Sequence, residues 1–86
     1  MTVNIKRMVI DAMKPRETTI LDLSKALCEG RGVDEVDIMV TEVDVKTETV
    51  KLTLRGSNID YDKVSCIMEE NGAIIRSVDE ANVSTA

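Results

Sequence analysis

Three carboxylates, Glu42, Asp44 and Glu48, crowd into the stretch "TEVDVKTE", and Asp79 with Glu80 follow near the end of the chain. Hard cations want several oxygen ligands, so Glu42, Asp44 and Glu48 form a candidate weak site for calcium or magnesium. The spacing does not match an EF-hand loop. Glu42 and Asp44 are two apart and share a strand face if no bulge falls between them. A solvated acidic edge competes with this reading, because charge also keeps edge strands from aggregating.

Other chemistry is scarce. The chain has no His. That removes the usual neutral-pH base, the Ser-His-Asp and Cys-His arrangements, and His-based metal sites. Ser24, Ser57, Ser65 and Ser77 have no evident activating base, and no lysine nominates itself for the role. Walker and G-x-G-x-x-G phosphate loops are missing. "GRG" at Gly30 to Gly32 fits a helix stop better than a phosphate cradle. Cys28 and Cys66 lack C-x-x-C pairing and are expected to be small, reduced core residues. A redox pair would require the two helices that carry them to bring the sulfurs together. An enzyme is therefore the least favoured class, and no cofactor is expected beyond a calcium or magnesium ion.

Composition narrows the remaining classes. A chain of 86 residues makes one small domain, spanning residues 1–86. Such a domain hides only about 60% of its unfolded surface. Phe and Trp are absent and Tyr61 is the sole aromatic residue, so Val, Ile, Leu, Met and Ala must build the core. Net charge is −5, which repels nucleic acid and anionic lipid at long range. No apolar run reaches membrane-span length and no signal-peptide core is evident, so a cytosolic location is expected.

The elements that must position these residues follow from periodicity. The first strand runs from about Ile5 to Met13. Met8, Ile10 and Ala12 line one face, and Arg7, Val9, Asp11 and Met13 the other. Pro15 ends the strand. "TILDLSKALCEG" is a helix, with Thr19 and Asp22 as its start signal and Ile20, Leu23 and Leu27 on one face, widened by Leu21 and Cys28. "VDIMVTEVDVKTETVKLTLRG" is a hairpin turning around Lys46 to Thr49. Its phase slips between Val40 and Val43, which places a bulge near Thr41 and Glu42. "NIDYDKVSCIMEENG" is a second helix, capped by Asp60 and ended by Gly72. "AIIRSVDE" is a last strand of ambiguous facing. Residues from about 81 to 86 are expected to fray.

The order β-α-β-β-α-β gives a ferredoxin-like α+β sandwich, a four-stranded antiparallel sheet with both helices on one face. The blocks "VIDAMKP", "VTEVDVKTETVKLTLRG", "NIDYD" and "IIRSVDE" resemble, in order, those of the small, mainly archaeal family known as domain of unknown function 211. The resemblance implies a ferredoxin-like fold. It implies no activity and no catalytic residues. That family often carries His in the last-strand block, where this chain has Arg76.

The helices leave one sheet face open. Arg7, Val9, Asp11 and Met13 are expected there, with Met39, Lys51, Thr53 and Arg55. Asp11 is expected beside basic residues of the third strand, taken as a parallel neighbour. RNA-binding sheets of this type carry stacking aromatics on that face, and none is present. Heavy-metal domains of this type carry paired cysteines after the first strand, where this chain has "KPRE". Apolar residues nevertheless fall on both sides of the strands. That points to a non-enzymatic homo-oligomer contacting through the open face or the strand edges, with Val9, Met13 and Met39 as anchors, Asp11, Arg7 and Arg55 as a polar rim, and an unidentified small ligand or ion as a further expected partner.

Overall fold

The structure, a computed structural model, describes residues 2–85. Six elements follow one another: β1 (Val3–Pro15), α1 (Ile20–Cys28), β2 (Val33–Val43), β3 (Thr47–Gly56), α2 (Tyr61–Glu70) and β4 (Ile74–Thr85). They form one four-stranded sheet in the order β2-β3-β1-β4, with every neighbouring pair antiparallel. This is the ferredoxin-like sandwich. β3 places one basic residue, Lys51, opposite Asp11, but it runs antiparallel to β1, since both crossovers return through a helix and leave the middle strands opposed.

The helix ends obey local chemistry. The Thr19 hydroxyl accepts from the Asp22 amide at 3.0 Å, and the Asp60 carboxylate accepts from the Lys63 amide at 3.1 Å. Each satisfies an amide that the first helical turn leaves free. Gly72 leaves α2 at φ +75°, the left-handed conformation that a helix exit favours. Gly32 has φ +81° for a further reason, because the loop after α1 crosses the β3–α2 loop there.

One aliphatic core sits between helices and sheet. Met8, Ile10 and Ala12 of β1 lie opposite Leu54, Leu52 and Val50 of β3. Leu23 and Leu27 of α1 and Val64, Ile67 and Met68 of α2 close over them. The slip in β2 is real. Val40 pairs with Val50 and Glu42 with Thr49, so Thr41 is the extra residue. The hairpin turn falls at residues 44–46, slightly earlier than expected, because Thr47 and Glu48 are already strand, opposite Pro15 and Lys14 of β1. The tail from Ala81 does not fray. It pairs with the start of β1, Val83 opposite Ile5 and Thr85 opposite Val3. Ala86 lies outside the described residues.

Lengths explain what stays uncovered. Helices of nine and ten residues span roughly 15 Å. A 13-residue strand spans about 43 Å, in a molecule 47 Å long. The sheet therefore overhangs its helices, and Val3, Val83, Val43 and Val45 are exposed where it does. No helix among the described residues is long and apolar enough to cross a membrane.

Candidate functional site

The acidic hairpin residues do not converge. After the bulge, Glu42 lies opposite Thr49, while Glu48 lies opposite Lys14. Thr49 and Glu48 are adjacent in β3 and point to opposite faces. Glu42 thus sits on the open face and Glu48 on the helix side. Asp44 is in the turn, where its carboxylate accepts from the Val45 amide at 2.8 Å. Among the described residues no group of three or more His, Cys, Asp or Glu side chains is placed to hold a metal ion. The expectation of a shared site at Glu42, Asp44 and Glu48 is corrected by that geometry.

Glu48 has a different partner. Its carboxylate meets the Lys14 ammonium at 2.5 Å. Lys14 is only 1% exposed, and it also donates to the carbonyls of Pro15 at 3.1 Å and Thr18 at 2.5 Å. This buried pair was missed in the sequence, although the signal is present. Lys14 continues the core-side register of Met8, Ile10 and Ala12. Glu48 continues that of Val50, Leu52 and Leu54.

The open face carries a lattice of charges. Arg55 reaches Asp37 at 2.6 Å and Glu35 at 3.5 Å. Arg7 meets Glu80 at 3.1 Å, and Arg76 approaches Asp11 at 3.6 Å. Lys51 stands directly opposite Asp11 in register. Asp11 is tolerated mid-strand because it lies among cations on the helix-free side. These exposed pairs are worth about 0–1 kcal/mol each.

The apolar anchors divide. Met39 is 55% exposed, as expected. Met13 is half-buried. Val9 is 2% exposed yet stands apart from the helix-side core, between Thr53 and Glu80 of the flanking strands. It is not available as an outward anchor, because neighbouring strands on both sides supply side chains over it. The facing of β4 is also settled: Ile75 packs toward the core and Ile74 points out.

Cys28 and Cys66 are both exposed, contrary to expectation. The buried faces are Leu23 with Leu27 on α1 and Val64, Ile67 and Met68 on α2. At about 100° per residue, Cys28 is turned off the first stripe and Cys66 off the second. Leu21 is exposed for the same reason. Beside the helices lie two adjoining clefts of about 490 and 550 Å³, open to solvent and sharing Glu29 and Lys63.

The fold is an α+β sandwich with a charged, helix-free sheet face, and among the described residues no group of three or more His, Cys, Asp or Glu is placed to hold a metal ion. The chain belongs to domain of unknown function 211, a family described as "Uncharacterized ArCR", whose model matches residues 6–85. It is similar to the uncharacterized protein MJ0319 of Methanocaldococcus jannaschii. The two are 42% identical over 76 residues, which cover 88% of this chain and 78% of the relative.

Proposed function

We propose that this chain is a non-enzymatic, self-assembling domain, and that the free edge of β4 takes part in each contact between copies. The carrying observation is β4 itself. Apart from half-buried Ile75, its residues from Ile74 to Thr85 are exposed. It presents Ile74, Val78 and Val83 without a proline to block pairing. A long unpaired edge is a template for another strand.

Edge contact is favoured over face contact because Val9 is already covered within the protomer. The second free edge, β2, carries Asp34, Glu35, Asp37 and Glu42 and no Lys or Arg. Pairing β2 with its own copy would oppose like charges, which destabilises a ladder. Pairing β4 with itself or with a neighbour's β2 avoids this. β2 and β4 run in opposite directions, so a copy added in the same orientation continues an antiparallel sheet. The reading has the protein act in the cytosol and apart from nucleic acid, in keeping with its net charge of −5.

Native mass spectrometry at low micromolar concentration tests the proposal. A multiple of the 9.5 kDa chain mass is expected, and Ile74→Asp with Val78→Asp should return it to monomer. A monomer peak alone from the unaltered protein overturns self-assembly. An assembly that survives both substitutions overturns the β4 assignment.

A further inference from the structure

Lys14 is the only polar or charged side chain among the described residues that is buried. Its surroundings are unusual. Between residues 13 and 19, and again between 41 and 49, no other side chain is buried. The other side chains of these two segments are half-buried or exposed, so hydrophobic burial within them does little to hold them. Yet they are ordered by several direct ties. The Arg16 amide donates to the Lys46 carbonyl at 3.0 Å, and the Thr18 hydroxyl donates to the Asn71 carbonyl at 3.2 Å. The Asp44 amide closes the hairpin turn on the Thr47 carbonyl at 2.8 Å. Lys14 reaches three places at once: the end of β1, the turn before α1, and Glu48 at the start of β3. An ammonium has three protons, and all three have acceptors here.

We propose that Lys14 and Glu48 form a conformational latch. The hairpin tip and the β1–α1 turn are one cooperative unit that opens separately from the core, and the buried ion pair is what keeps it shut. The warrant is an asymmetry of cost. A buried pair adds little net stability compared with apolar side chains, but removing one partner strands the other charge and is severe. Where no other side chain of the unit is buried, that cost falls on the local unit. When shut, the latch presents Val43 and Val45, 57% and 80% exposed, on a fixed turn. The inference goes beyond the self-assembly reading and holds whether or not copies associate.

Amide hydrogen exchange followed residue by residue is the test. In the unaltered protein the Arg16 and Asp44 amides should share one opening equilibrium, and should exchange faster than the amides of Ile10 and Leu52. Widely different openings at Arg16 and Asp44 would overturn the cooperative unit. In Lys14→Met, exchange at Arg16 and Asp44 should rise roughly 100-fold or more, with a much smaller rise at Ile10 and Leu52. Glu48→Gln, which keeps the shape and an acceptor, should give the same pattern in milder form and serves if Lys14→Met does not fold. Unchanged protection at the tip, or an equal rise at tip and core in both variants, would overturn the latch.

Discussion

Gly32 and Gly72 have nearly the same backbone, with φ +81° and +75°, and that makes them a matched pair. Alanine at either position must adopt the left-handed region, at a cost of about 1–2 kcal/mol. At Gly72 the nearest atom to a new Cβ is the Pro15 Cγ at 3.2 Å, the edge of a ring that can shift slightly. At Gly32 the new Cβ would lie 1.8 Å from the Asn58 carbonyl oxygen and 2.5 Å from its carbon. Those are backbone atoms, so one loop must retreat by more than 1 Å from the other. The retreat pulls on two bonds at the crossing, Ser57 N–H to the Gly32 carbonyl and Asp60 N–H to the Arg31 carbonyl, both 3.2 Å. Losing them costs roughly 1–3 kcal/mol in all. It also displaces Ile59, which is buried in the core, and Asp60, which caps α2. Gly32→Ala should therefore lose about 2 kcal/mol or more beyond Gly72→Ala. Urea unfolding of both variants at one fixed protein concentration measures the difference, since association would make stability concentration-dependent. Equal losses, within about 0.5 kcal/mol, would refute the reasoning and show that the two loops do not press on one another. The same contact explains why "GRG" is not a phosphate cradle: the space in front of Gly32 is filled by the Asn58 carbonyl.

Two further outcomes are expected. Cys28 and Cys66, both exposed, should react promptly and completely with a thiol reagent under native conditions, and a slow phase that disappears on unfolding would contradict their placement. Glu42→Gln together with Asp44→Asn should leave any calorimetric response to millimolar calcium unchanged, because Glu42 and Glu48 face opposite sides of the sheet; a response lost in that variant would restore the hairpin as a metal site.

The fold was legible because its signals are local. Alternation at Met8, Ile10 and Ala12, the caps Thr19 and Asp60, and the phase slip after Val40 each report on a few neighbouring residues. The placement of Val9 and the thiols was not, because it depends on tertiary packing. Whether Val9 is covered depends on what two other strands place beside it. Whether Cys28 is covered depends on where a nine-residue helix sits across the sheet. The hairpin carboxylates illustrate the same limit. Their types suited a cation, but one extra residue at Thr41 sent Glu42 to one face, while Glu48 stayed on the other with Lys14. The extension of β4 through Thr85 was hidden for a related reason. "ANVST" is small and polar because it lies on an exposed edge, and an exposed edge strand has the composition of a tail.

The charges also answer a problem that this composition creates. A one-residue slip between β1 and β3 would turn a whole apolar set outward, and burial alone forbids it. A two-residue slip keeps the facing. Ile10 would then meet Val50 or Leu54 in place of Leu52, and aliphatic side chains are close to interchangeable in such positions. With no Phe or Trp in the chain, little in the core shape opposes that slip. The charges do. In the observed register the Lys14 ammonium meets the Glu48 carboxylate, and Asp11 has Lys51 across from it on the next strand. Shifted by two in either direction, Lys14 would face Val50 or Lys46, and Asp11 would face Thr49 or Thr53. A buried ammonium opposite valine or another ammonium is strongly disfavoured. The carboxylate in the middle of an aliphatic strand and the lysine buried at its end thus do the same physical task on opposite faces of one sheet, holding β1 and β3 to a single alignment that hydrophobic contacts leave underdetermined.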